Sequence, residues 1–122
     1  MPTEMTVGDR TYEILGFLQG DEKRVVGHTM VKRAKEKKAH LGEDDGQYLL
    51  DHKEEIPEIF KEEIAFIFTD WCASDNPGYV VLVDVDSDGL NWTKFWWGLN
   101  GDFGDNIRIL RRIKPSASAQ VP

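Results

Sequence analysis

Cysteine is nearly absent: Cys72 stands alone in 122 residues. A single thiol excludes an intrachain disulfide framework and is compatible with a reducing cytoplasm. Cys72 also lacks a Cys-x-x-Cys partner. The three histidines, His28, His40 and His52, form no His-x-x-x-His pair, so the spacing argues against zinc. No apolar run approaches the ~20 residues that span a bilayer. The opening Met-Pro-Thr-Glu-Met-Thr-Val-Gly-Asp-Arg has neither a basic n-region nor an apolar h-region, so no secretory signal is visible. Gly-x-Ser-x-Gly elbows, Walker loops and dinucleotide fingerprints are all missing, and no cofactor is implied. There is no internal repeat. These absences point to a single soluble cytoplasmic domain over residues 1–114, with a frayed tail from Pro115 to Pro122.

Positive charge is also in deficit. The net charge of −7 argues against nucleic acid as the main partner. The imbalance is local, however. Residues 21–40 carry Lys23, Arg24, Lys32, Arg33, Lys35, Lys37 and Lys38 against three acids. Residues 43–63 carry nine acids against Lys53 and Lys61. Adjacent segments of opposite sign attract one another or mix in solvent, unless one of them meets a partner. The acidic segment could, for example, imitate nucleic acid toward a basic protein.

The richest stretch runs from Gly78 to Trp97. Tyr79 to Val85 is β-branched or aromatic at almost every position, which suits a strand. Asp86-Ser-Asp-Gly89 supplies turn chemistry, with short carboxylates and a glycine free to take positive φ. Leu90 to Trp97 then holds four aromatics in eight residues. This pattern predicts a β-hairpin. In extended chain Trp92 and Trp96 share one face with Leu90, and Phe95 and Trp97 share the other. A sheet covered by helices on one side should be polar on its other side. Tyr79, Trp71, Trp92, Phe95, Trp96 and Trp97 are therefore expected to supply a core of their own, a homodimer interface or a ligand cleft.

Around this hairpin the spacing predicts further elements. Thr6 to Leu18 fits either a helix or strands turning at Gly8-Asp9. Gly16, which costs a helix about 1 kcal/mol relative to alanine, favours strand. Met30, Ala34 and Leu41 share one side of a helix from His28, with Gly42 as its left-handed terminus. Glu43-Asp44-Asp45 opens a second helix bearing Tyr48, Leu49, His52 and Ile56. A short turn at Pro57–Glu63 and a strand from Ile64 to Trp71 follow. Ser74 to Gly78 reads as a connecting turn and Gly98 to Gly104 as a polar loop. The last strand spans Asn106 to Lys114. The fold class is α+β, with an N-terminal strand and two or three helices on a C-terminal antiparallel meander of about four strands.

Met30-Val-Lys-Arg-Ala-Lys35, Ala39-His-Leu-Gly-Glu-Asp-Asp-Gly-Gln-Tyr-Leu-Leu-Asp-His52 and Ile56-Pro57 together resemble small uncharacterised bacterial proteins, some carried on mobile integron gene cassettes. The similarity runs from about Tyr12 to Ile113 and takes in the tryptophan-rich hairpin and Arg108-Ile-Leu-Arg-Arg112. It implies a bacterial cytoplasmic setting and no particular activity.

Three polar constellations compete with the aromatic surface. Asp84, Asp86 and Asp88 with Gly89 match the first half of a calcium loop, but position 12 is Phe95, which leaves a weak, partly hydrated site or simply a turn. Arg108, Arg111 and Arg112 could hold an anion or single-stranded nucleic acid beside the tryptophans, or could guard an edge strand. His40 or His52 with Asp44, Asp51 or Asp70 could serve a small hydrolase or nuclease. The residues favour a non-enzymatic binding protein that pairs with itself, a protein partner or a small molecule.

Overall fold

The computed structural model describes residues 2–61 and 63–113; the tail expected from Pro115, and Lys114, lie outside them. Strands β1 (Glu4–Val7) and β2 (Arg10–Leu15) form a hairpin through Gly8, whose φ of 60° is in the left-handed region. Strand wins over helix here because alternation places Tyr12 and Ile14 on the buried side with Met5 and Val7 of the partner strand. A short strand β3 (Arg24–Val26) leads into helix α1 (Gly27–Glu36), and helix α2 (Glu43–Asp51) follows. Single 3-10 turns occupy Lys53–Glu55 and Glu58–Phe60. Strands β4 (Ala65–Ala73), β5 (Asn76–Val85), β6 (Trp92–Gly98), β7 (Asp102–Gly104) and β8 (Ile107–Ile113) complete the chain.

The fold is α+β. Its main sheet has the order β1-β2-β8-β4-β5-β6, and β3 and β7 make a second, two-stranded sheet. Neighbours are antiparallel except β4 and β8, which run parallel. The C-terminal strands are therefore not a simple meander, and β8 lies in the middle of the sheet rather than guarding its edge. Its sequence explains the position. Ile107 and Ile109 face one side and Leu110 the other, and all three are buried, as a strand covered on both faces requires.

Each face of the sheet has its own cover. On one, Leu49 of α2 and Ile56, Phe60 and Ile64 of the turns pack on Phe66, Phe68, Val81, Val83 and Leu110. On the other, Met30 and Ala34 of α1 join Val25, Phe103 and Leu99 over Ile67, Val80, Leu82 and Ile109. The stretch expected to be a polar glycine-punctuated loop thus buries Leu99 and Phe103, with Phe103 opposite Val25 across the small sheet. Helix α1 also stops sooner than its spacing predicted. The backbone turns at Lys38 (φ 57°), which buries Ala39 with α1 but carries Leu41 to the other face, where its carbonyl accepts the Asp70 N–H at 3.0 Å. Gly42 consequently caps the start of α2 instead of ending α1.

One irregularity positions the candidate site. Phe68 pairs with Val81 and Cys72 with Val80, so β4 bulges over residues 69–71. The bulge shifts the alternation and brings Trp71 onto the same face as Phe66 and Phe68. There its ring lies under α2 so closely that a Cβ on Gly46 would stand 2.4 Å from Cε3. Gly46→Ala should therefore cost a net of about 1 kcal/mol in urea unfolding, because overpacking outweighs the helix-propensity gain of about 1 kcal/mol.

Candidate binding edge

Strand β6 closes one side of the main sheet. Its inner edge pairs with β5 from Tyr79 opposite Gly98 to Val85 opposite Trp92, and its outer edge has no strand partner among the described residues. Pairing fixes which rings share a face. Trp92, Lys94 and Trp96 lie with Val81 and Val83 on the α2 side, and Phe95 and Trp97 lie with Leu82 and Val80 on the α1 side.

The aromatic residues singled out by sequence divide into two groups. Trp71 and Trp92 belong to the core, at 6% and 2% exposure, with Trp92 stacked on Phe66 at 5.6 Å between ring centres. They are not surface anchors, because the bulge turns the first inward and α2 and its following turns cover the second. Tyr79, Phe95, Trp96 and Trp97 remain 39–45% exposed. Rings of this size cover roughly 150–250 Å² each, so these four place on the order of 300 Å² of apolar surface along one edge. That area is divided between Tyr79 and Trp96 on one face and Phe95 and Trp97 on the other, and exposed apolar surface gathered along one strand marks a candidate contact.

Lys94 is a feature that periodicity did not flag. Its Nζ stands 5.2 Å from the Trp71 ring centre and 5.3 Å from that of Trp96, a cation held over two indoles. On the opposite face Trp97 meets Phe103 edge-on at 6.3 Å. Tyr79 lies across Gly98, where an added Cβ would meet its ring at 3.8 Å, so the strand backbone is covered by an aromatic ring where a side chain is missing. Beside Tyr79 and Trp96 the two-residue tip at Ser74-Asp75 joins β4 to β5, shorter than expected because Asn76 to Gly78 already belong to β5.

The arginines do not converge. Arg111 pairs with Glu13 directly across from it on β2, and Arg108 bonds Asp105 at 3.3 Å. Arg112 faces Asp44 and Asp45 on α2 at 3.7 and 3.6 Å. Each is answered by an acid, which is how a central strand accommodates them. Asp86 likewise serves its turn: its Oδ1 accepts the N–H of Leu90 at 3.3 Å and approaches that of Asn91 at 3.5 Å. Burial pushes its carboxyl up, yet the backbone N–H groups prevail and hold it below the usual value. Among the described residues no three His, Cys, Asp or Glu side chains gather closely enough to hold a metal, Asp84, Asp86 and Asp88 included. The histidines are dispersed. His28 bonds Asn100 at 3.3 Å, and His52 stacks on Tyr48 at 4.1 Å and donates through Nδ1 to the Tyr48 carbonyl.

A second polar centre went unread in the sequence. Asp45 of α2 is 7% exposed and accepts the Tyr12 hydroxyl at 2.7 Å and Arg10 Nη1 at 3.1 Å. Burial and the neighbouring carboxylate push the Tyr12 hydroxyl far above its ordinary ionisation, so it stays a donor at any working pH. Next to it the Arg10 guanidinium lies 4.0 Å over the Tyr48 ring, whose hydroxyl donates to Asp9 and holds that carboxyl below its ordinary value. The group ties β2, β8 and α2 together. It reads as a structural clasp.

No protein-family model matches the chain, and no curated protein or solved structure matches it either. Among the described residues no helix is long and apolar enough to cross a membrane.

Proposed function

We propose that this chain is a binding protein of the bacterial cytoplasm that works through the β6 edge and pairs there with a second copy of itself. One observation carries the reading: a strand whose outer edge has no strand partner among the described residues, with Trp96 exposed on one face and Phe95 and Trp97 on the other. Edge strands are ordinarily blunted by proline, by charge or by a covering element. Here the strand holds no proline, and its one charged residue, the exposed Lys94, lies over the rings of Trp71 and Trp96. An edge left open in this way is suited to strand addition, in which backbone bonds supply affinity and the flanking rings supply register. Two copies of β6 lying antiparallel would extend the sheet and bring the rings of both chains together on either face.

Light scattering tests this. The wild-type chain should run at twice its 14.0 kDa mass, and a Phe95→Lys/Trp97→Lys variant should run at the single-chain mass with the far-UV circular dichroism of the wild type. A wild-type chain that stays at the single-chain mass when concentrated would remove self-pairing.

A further inference from the structure

We infer that the concavity between the β4–β5 tip and the exposed rings of Tyr79 and Trp96 is a saccharide-binding site. The inference deepens the reading of β6 as a binding edge, since it assigns a ligand class to the α2-side face of that edge. The concavity measures about 390 Å³ and is lined by Ala73, Ser74, Asp75, Asn76, Tyr79 and Trp96. That volume lies within the range of small-molecule sites, which combine an apolar wall with a few placed polar groups.

The lining chemistry selects among ligand classes. Two electron-rich rings offer flat apolar surface. The tip offers a carboxylate acceptor at Asp75, a hydroxyl at Ser74 that both donates and accepts, and the Asn76 amide. The Asn76 Oδ1 accepts the Gly78 N–H at 3.0 Å, which anchors the side chain and leaves its NH₂ group as the donor. Flat rings beside mixed donors and acceptors complement a pyranose, whose C–H face is apolar and whose rim of hydroxyls both donates and accepts.

The competing classes meet specific obstacles. A quaternary ammonium ligand would also suit two rings and an aspartate. The Lys94 ammonium already stands over Trp96, however, and repels a second cation at that ring. A nucleic acid strand would stack on the rings, but its phosphates would meet Asp75 on a chain of net charge −7. A purely apolar ligand would leave the Asp75 carboxylate and the Asn76 amide desolvated without partners. A neutral polyol meets none of these objections.

The probe is cellotetraose, whose equatorial hydroxyls leave both ring faces apolar, titrated into the full chain with tryptophan emission and heat of binding as readouts. Saturable one-to-one binding is expected. Trp96→Ala and Asp75→Ala should each weaken it about tenfold or more, equivalent to roughly 1.4 kcal/mol. Ile59→Ala, an exposed apolar position on the Glu58–Phe60 turn, should bind as the wild type does, and Trp96→Phe should retain part of the affinity. Far-UV circular dichroism of each variant separates a lost site from a lost fold. Failure to saturate with both cellotetraose and a tetramer of N-acetylglucosamine overturns the proposal. So does binding of choline chloride or an oligothymidylate in place of the sugars, or sugar binding that Trp96→Ala leaves unchanged. Light scattering on the same samples keeps the two readings separate: a dimer that ignores sugars removes the saccharide site alone, and a single-chain species that binds them removes self-pairing alone.

Discussion

Asp45→Ala should lower the free energy of unfolding by about 3 kcal/mol, the scale for removing one partner of a buried hydrogen-bonded charge cluster. The substitution leaves the Tyr12 hydroxyl, on a fully buried side chain, without its acceptor at 2.7 Å. It also leaves Arg10 facing only the exposed Asp44 at 3.3 Å. For a domain of this size the thermal midpoint should fall by about 10 °C or more. Two comparisons isolate the cause. Tyr12→Phe removes the donor and should cost only about 1 kcal/mol, whereas Asp45→Asn keeps an oxygen for Tyr12 and loses the charge that answers Arg10 and Arg112. The double variant Asp45→Ala/Tyr12→Phe should be less destabilised than the two single losses added together, by about 1 kcal/mol. Strict additivity in urea unfolding would mean that the two groups do not act as a unit.

Gly27→Ala should be as damaging, although alanine is the better helix former by about 1 kcal/mol. Gly27 opens α1, and its N–H donates to the Gly101 carbonyl at 3.0 Å. A Cβ there would stand 2.5 Å from the Leu99 carbonyl oxygen and 2.7 Å from the Leu99 Cα, both of them backbone atoms that cannot rotate aside. Either α1 or the segment carrying Leu99 must move, and the cluster of Met30, Leu99 and Phe103 opens with it. A loss of about 3 kcal/mol is expected, at the upper end for overpacking. Gly16→Ala serves as the control. It meets nothing within 4 Å, so shrinking the unfolded ensemble should stabilise the chain slightly, by about 0.5 kcal/mol. If the two variants unfold alike in urea, α1 does not depend on that close approach.

Local chemistry made the hairpin, α2 and the β1–β2 turn legible in the sequence. Asp86 and Gly89 sit where their turn needs them, the acids at positions 43–45 open α2, and alternation at Tyr12 and Ile14 outweighs a weak helical pattern. What escaped the sequence was set at a distance. Leu41 continues the spacing of Met30 and Ala34, yet the turn at Lys38 sends it to the other face of the sheet. Nothing near Trp71 announces that a bulge will reverse its side. Asp45 looked like one more N-terminal helix acid, because its partners lie more than thirty positions away on β2 and at the far end of the chain. The run of rings in the second half is plain in the sequence, but where each ring lies is not. The α2-side face, roofed by the same molecule, absorbs both Trp71 and Trp92, and the rim of the sheet leaves Tyr79, Phe95, Trp96 and Trp97 in contact with solvent.

The place of β8 between β2 and β4 also bears on folding. Residues 107–113 follow the other described strands in sequence, yet without them the sheet is two separate pieces, β1–β2 and β4–β5–β6, each with a raw inner margin. Those margins stay open until residues 107–113 lie between them. Such long-range closure is intrinsically slow, so the joining of the two pieces, rather than the formation of either, is expected to set the pace at which this sheet folds.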